Sequence, residues 1–302
     1  MSEVSVVLVA RDVRERLRGC LESLKHALPL SSEILVVDDA SSDATARMVA
    51  SEFQHARLLR NDAPIGFVPS VERAVAMARG SYLMILDPNV HLYPNSGREM
   101  VAFLEQNLRH GAVVPRLVRP DGSTVRPHRR HPTLKSALWI ATPLERWRPD
   151  APERREMFAC DFDYSQESDV QETSTACLLM RRRALKRVET FDSGMFPYFH
   201  EADLCMRVRE AGWRLAYLPH TLALDIDGVA EHGYPDLSPE WHAQRLAWYR
   251  KHLGHGAGWW VKACVSWDVS VRLGKELRRR VNGLRQEPIA PVWRAYAGLL
   301  RS

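Results

Sequence analysis

The sequence predicts an α/β fold, a mostly parallel central sheet flanked by helices, with a helical extension at the C-terminal end. Three observations carry this. Short apolar runs alternate with amphipathic stretches through the first 118 residues, polar residues cluster where those runs stop, and after about residue 240 the pattern turns helical. Strands alternating with helices favour parallel pairing through right-handed crossovers.

Val4 to Val9 is a continuous apolar run and reads as a buried strand. Val13, Leu17, Cys20, Leu21, Leu24 and Leu28 follow at spacings of three and four, one face of a helix. The cycle repeats with a strand in EILVVDD (33 to 39) and a helix from about Asp43 to Phe53, for which Ser41, Ser42 and Asp43 are capping candidates. ARLLRN (56 to 61) reads as the third strand, a Pro-Ile-Gly turn at 64 to 66 precedes a helix near 69 to 79, and SYLMILD (81 to 87) is the fourth strand. A helix near 95 to 109 and the strand AVVPRLV (112 to 118) complete this half.

Residues 119 to 155 hold six prolines and little apolar spacing, so they read as a long excursion with one short apolar piece, ALWIATPL. Order returns with TACLLMRRRAL (175 to 185) and with DLCMRVREAGWRLAYLP (203 to 219), a helix capped by Asp203 and closed by Gly212, then a strand. Beyond 240, WHAQRLAWYRKHLG and GWWVKACVSWDVSVRLGKELRRRV interleave tryptophans with basic residues, a pattern suited to a membrane interface or to a helix packed back on the domain. The expected division is one large domain over 1–239, its halves meeting near 118, and a C-terminal helical extension over 240–302.

Composition narrows the class. With 302 residues, 45% hydrophobic and 26% charged, the chain can bury a full core. Five widely spaced cysteines argue against a disulfide framework or a zinc site and suit a reducing cytoplasm. The N-terminal run is too short, and lacks the basic lead-in, for a signal peptide, and no stretch approaches the roughly 20 apolar residues that span a bilayer. The net charge of +5 is uneven, with ten Lys or Arg against four acids over 116 to 155. That excess suits an anionic partner or a solvated loop. Nucleic acid is not the expected partner, because these arginines sit in a proline-rich excursion without a base-reading module.

Four polar clusters fall at element ends: Asp38 and Asp39, Asp87 and Asn89, Thr173 to Cys177, and FHEADLC (199 to 205). In a parallel sheet the second and fourth strands end on one side, so Asp38, Asp39 and Asp87 should share a rim, where open α/β folds keep their ligands. A shared acidic rim suggests a cation bridged to phosphates, since Mg2+ typically takes one or two carboxylates alongside substrate phosphates. A single Asp at a strand end is otherwise a turn former.

The succession VSVVLVARD, LRGCLESL, EILVVDDASSDAT, RN, GF and ARGSYLMILDPNV resembles the donor half of inverting glycosyltransferases of family 2, which have the Rossmann-like GT-A fold. DGSTVRPHRRHPTL, TACLLMRRRAL, FDSGMFPYFHEADLCMRVREAGW, LAYLP and WYRKHLG resemble the acceptor half. The likeness runs over roughly residues 4 to 255 and is nearest to the rhamnosyltransferase-like branch of bacterial surface polysaccharide synthesis.

The resemblance implies roles residue by residue. Asp38 matches the Asp that contacts the nucleotide base, with Asp39 beside it in the donor site. Asp87 and Asn89 occupy the two ends of the metal motif, Asn89 being neutral where the family often has an acid. Glu201 matches the catalytic carboxylate, with His200 beside it, and Asp203 is either the helix cap or an alternative base. Thr175 stands where the family often has a small glycine near the sugars. Asp225 stands where a histidine often completes the metal shell, with Asp227 and His232 nearby, and would restore the charge missing at Asn89.

The implied activity is transfer of a sugar, rhamnose in first place, from a nucleotide diphosphate donor to a glycan or lipid-linked acceptor. It would be assisted by a divalent cation, Mg2+ or Mn2+, in the cytoplasm at the inner face of the cell membrane. The competing expectation is a catalytically degenerate GT-A scaffold that binds a glycan, a nucleotide sugar or a partner transferase.

Overall fold

The computed structural model describes residues 3–230 and 238–281, the last turns of the final helix without all of their side chains. The chain divides into two compact units. The first comprises residues up to His128, Phe162–Ser193 and the segment from Glu201 to residue 230.

Its strands are β1 (Val4–Ala10), β2 (Glu33–Asp38), β3 (Ala56–Arg60), β4 (Tyr82–Leu86), β5 (Val90–Leu92), β6 (His110–Val118), β7 (Ser168–Val170), β8 (Cys177–Arg181) and β9 (Arg214–Asp225). Its helices are α1 (Arg14–Ala27), α2 (Thr45–Glu52), α3 (Phe67–Met77) and α4 (Ser96–Gln106), then α8 (Arg182–Val188) and α9 (His200–Glu210). The sheet runs β3-β2-β1-β4-β8-β6-β9-β5, with β7 also pairing to β9. β1, β2, β3 and β4 are mutually parallel, β8 runs antiparallel between β4 and β6, and β6 and β9 are again parallel.

Period-two alternation divides the strand side chains between two cores. Val6, Leu8 and Ala10 of β1 pack with Leu17, Leu21 and Leu24 of α1 and with Met100 and Leu104 of α4. Val7, between them in sequence, faces the other way with Val71 and Ala74 of α3 and Leu204 and Val208 of α9. Truncating a residue such as Leu21, fully buried, costs about 2–5 kcal/mol. The result is helices on both faces of a mostly parallel sheet.

The second unit holds residues 129–161 and 194–200 and the helices α10 (Pro239–Leu253) and α11 (His255–Val281). Where irregular chain is expected over 119 to 155, three short helices form, α5 (Leu134–Trp139), α6 (Pro143–Trp147) and α7 (Pro152–Met157). The prolines that read as breakers are starters: Pro143 and Pro152 open their helices, and so does Pro239 of α10. Proline at the first helical position loses no hydrogen bond and arrives with its φ preset. Thr133 adds a capping box with Ser136 at the start of α5.

Other corrections are local. α2 begins at Thr45, and Asp43 stands just ahead of it with its carboxylate accepting from the Thr45 amide at 2.8 Å. β5 and β7 have three residues each, too short for alternation to announce them.

Candidate active site

Parallel register brings the expected residues to one rim. β1 lies between β2 and β4, with Ala10 level with Asp38 and Leu8 level with Leu86. Asp38 and the residue after Leu86, Asp87, therefore emerge at the same end of the sheet, two strand spacings or about 10 Å apart. The antiparallel β8 enters here, with Cys177 opposite Leu86, and the Asp87 amide donates to the Ala176 carbonyl at 2.8 Å. The loop ahead of β8 is thereby held against the end of β4.

That loop carries Glu201 at its other side. Glu201 Oε1 accepts the Thr175 amide at 2.6 Å, the Thr175 hydroxyl at 3.1 Å and the Ser174 hydroxyl at 3.1 Å. Three donors fix one oxygen and so set the plane of the carboxylate. Thr175 is nearly fully buried and works as the seat of Glu201.

Asp38 is fully buried, and neither of its carboxylate oxygens accepts a hydrogen bond. Its nearest cation is the exposed Arg60, whose Nε lies 3.5 Å from Oδ2. A buried carboxylate in that condition is costly unless something donates to it. Asp39 is the opposite case: its oxygens accept the Ile65 amide at 2.8 Å, the Gly66 amide at 2.9 Å and the Asn61 side-chain amide at 2.8 Å. Burial pushes its carboxyl up, but these donors outweigh it and hold the group below the usual carboxylate range. Asp39 thus shapes the 61–66 loop beside Asp38, and the turn needs Gly66, whose φ is +89°.

Asp203 corrects an expectation. It does not cap the helix but is the fourth residue of α9, fully buried, with Oδ2 meeting Arg207 Nε and Nη2, each at 2.8 Å. Arg207 also donates to the Val188 and Thr190 carbonyls, so the pair ties α9 to the end of α8.

Asp225 is bound to its own backbone turn. Its carboxylate oxygens accept the backbone amides of Val229 and Ala230, both at 3.0 Å, and it is fully buried. It sits beside the metal motif, since Val90 is level with Asp225 and the Ile226 amide donates to the Asn89 carbonyl at 3.1 Å. Both oxygens thereby help fold the turn after β9. Asp227 pairs instead with Arg16 at 2.7 Å, and His232 lies outside the described residues.

Three participants are not foreseen as site residues. Ser174 and Asn61 lie inside stretches singled out as polar or motif-bearing, but their targets depend on chain folding. His128 sits beneath the Glu201 loop, its Nδ1 3.0 Å from the Thr173 hydroxyl, its ring stacked on Tyr164 and edge-on to Phe162 and Tyr217. Burial pushes this imidazole down to about 3, so it is neutral at physiological pH.

Residues 5–188 match the family model described as glycosyl transferase family 2. The chain belongs to that family. Over 280 residues it is 27% identical to the N-acetylglucosaminyl-diphospho-decaprenol L-rhamnosyltransferase of Mycobacterium tuberculosis, covering 87% of this chain and 88% of that protein. This sets it in the rhamnosyltransferase-like branch. Among solved structures, GalNAc-T7 with UDP, GalNAc and Mn2+ superposes with a TM-score of 0.59 at 15% identity, over 83% of this chain and 50% of that one. The S. aureus TarS 1–349 complex with UDP-GlcNAc gives 0.56 at 14% identity, over 84% of this chain and 67% of that one. Those likenesses are of fold, and the fold is GT-A. This family-2 chain is a glycosyltransferase.

The fold family implies a divalent cation. Among the described residues no group of three or more His, Cys, Asp or Glu is arranged to hold one. Asp87 Oδ1 accepts from the Asn89 amide and from its side-chain nitrogen, both at 2.8 Å, which closes a tight turn and turns the motif's two ends toward each other. One carboxylate and one amide fit an ion that arrives with a diphosphate and completes its shell there. They do not make a cage that holds metal by itself.

Proposed function

We propose that this glycosyltransferase moves a sugar, with inversion, from a nucleoside diphosphate donor to a lipid-linked glycan in bacterial surface polysaccharide synthesis. Deoxythymidine diphosphate rhamnose is the favoured donor. The carrying observation is that Asp87 and Glu201 are bound to adjacent residues of one loop, Ala176 and Thr175. The mycobacterial relative, matched over nearly its whole length, is named for transfer of L-rhamnose to a diphospho-decaprenol-linked acceptor, which supports both donor and acceptor class.

Asp38 receives the nucleobase. An imide N–H is the donor its buried oxygens lack. Asp87 and Asn89 hold Mg2+ or Mn2+ together with the donor diphosphate. When bound, the ion offsets charge that develops on the leaving diphosphate. Glu201 takes the proton of the acceptor hydroxyl. The hydroxyl oxygen bonds to the anomeric carbon, the bond to the diphosphate breaks on the opposite face, and the nucleoside diphosphate leaves with the electron pair. Ser174 and Thr175 keep the Glu201 carboxylate from rotating away. The workplace is the cytoplasmic face of the membrane, where a lipid-linked acceptor is presented.

Calorimetry with a panel of nucleotide sugars, with and without Mg2+ or Mn2+, tests the donor side on wild type and Asp87→Ala. Metal-dependent binding of one donor, lost in the variant, is expected. If no donor binds under either condition, the proposal fails.

A further inference from the structure

Helix α11 of the second unit presents an unusual face to its surroundings. Gly256, Trp259, Trp260, Ala263, Trp267, Ser270 and Gly274 recur at spacings of three and four and form one stripe. All seven are exposed or half-exposed, and none is charged. A helix face turned to water is ordinarily polar or charged. Here Trp259 is 70% exposed and Trp260 41%.

Neighbouring helices extend the stripe. Trp260 Nε1 donates to the Leu134 carbonyl of α5 at 2.8 Å, and the Trp267 ring meets the Trp147 ring of α6 at 6.0 Å. Leu134 and Trp147 are themselves 48% and 60% exposed. Single exposed apolar residues are ordinary, but a contiguous set marks an interaction surface.

Charge indicates the occupant. Leaving aside the buried Arg245, the sequence from Arg250 to Arg280 carries eight Lys or Arg against two acids, Asp268 and Glu276. Lys262 lies over the Trp259 ring at 5.1 Å, while Arg146 and Arg272 flank Asp268, leaving that acid no net negative charge to present. Tryptophans prefer the headgroup level of a bilayer, and cations gain from an anionic leaflet. No helix among the described residues is long and apolar enough to cross a membrane.

We infer that the tryptophan stripe of α11, with Leu134 and Trp147, is a monotopic docking surface for an anionic bilayer. The lipid-linked acceptor proposed above supplies the purpose of such a surface, and the test separates the two.

The full chain is sedimented with vesicles of phosphatidylcholine alone and of phosphatidylcholine mixed with phosphatidylglycerol, while its tryptophan emission is followed. Binding to the anionic vesicles with a blue shift is expected. Trp147→Ser with Trp259→Ser should weaken it about tenfold per ring, from about 50 Å² of apolar surface each withdrawn from water. Thermal midpoint and transfer to a water-soluble acceptor should be unchanged in that variant. Equal partitioning of variant and wild type overturns the inference. So does a concentration-dependent dimer in vesicle-free buffer that the two substitutions abolish, because a second copy would then cover the stripe. Vesicle binding that depends on the tryptophans, in a protein that transfers no sugar to any acceptor, would sink the proposed function and leave the docking surface standing.

Discussion

Glu201 accepts the backbone amide of Thr175 at 2.6 Å, and this bond couples the candidate base to the loop whose next carbonyl, that of Ala176, receives the Asp87 amide. A loop pinned at both points keeps proton acceptor and diphosphate end in fixed relation. Position matters here because general-base catalysis needs hydrogen-bond reach in the reacting geometry before basicity counts.

Glu201→Gln keeps an oxygen for the Thr175 amide and both hydroxyls but cannot take a proton. Turnover should fall by about 10²–10⁴, with donor affinity and thermal midpoint near wild type. Ser174→Ala should give a smaller loss, confined to kcat, because only one of three donors to Oε1 goes. Steady-state kinetics with calorimetric donor binding checks both. Full turnover in Glu201→Gln would remove Glu201 from the mechanism.

Asp38 predicts a trade between stability and function. Its oxygens are buried without hydrogen bonds, and the exposed Arg60 stands 3.5 Å from Oδ2. Asp38→Asn removes a buried charge and should leave stability equal or raised. Donor affinity should fall about tenfold or more, since a hydrogen bond to a charged group contributes roughly 1.5–3 kcal/mol. Urea unfolding beside calorimetry decides it. A variant less stable than wild type with unchanged donor binding would make Asp38 a structural residue.

Asp225 predicts the reverse. An Asn there can accept only through its one oxygen, so one of the Val229 and Ala230 amides loses its partner. Asp225→Asn should cost about 1–3 kcal/mol, while the dependence of donor binding on Mg2+ or Mn2+ stays as in wild type. A weakened metal dependence at unchanged stability would return Asp225 to the metal shell.

The sheet was legible because β1 to β4 are apolar runs bounded by turn residues, and parallel register then dictates that Asp38 and Asp87 share a rim. The three helices of 129–161 were not, because Pro143 and Pro152 read alike as breakers and as first helical residues until the chain path is known. The site shows the same limit. Motifs marked Asp39, Asp203 and Asp225 as acids in the right places, yet whether an acid meets a ligand or its own backbone depends on partners far along the chain. Asp39 is held by Asn61, Ile65 and Gly66, and Asp203 by Arg207, which itself reaches back to Val188. His128 lies inside the motif-bearing stretch DGSTVRPHRRHPTL, yet nothing there marks it as a partner of the site, since its place is set by Tyr164, Thr173 and Tyr217.

His128 gives the last prediction, on acid stability. Burial lowers its folded value to about 3, whereas an unfolded histidine titrates near 6.5. Above pH 6.5 the ring is neutral in both states and contributes no pH dependence. As pH falls below 6.5 the unfolded chain takes up a proton that the folded chain refuses, so stability drops by about 1.4 kcal/mol per pH unit toward pH 3. His128→Phe retains the aromatic packing with Phe162, Tyr164 and Tyr217 but loses the bond to Thr173. The variant should be about 1 kcal/mol less stable at pH 7 and should lose less than wild type on going to pH 5, by about 2 kcal/mol. His242, also held down to about 3 with burial as the main cause, is present in both proteins and cancels in the comparison. Denaturant unfolding at the two pH values measures the difference, and parallel losses in variant and wild type would mean that His128 is protonated without cost in the folded state.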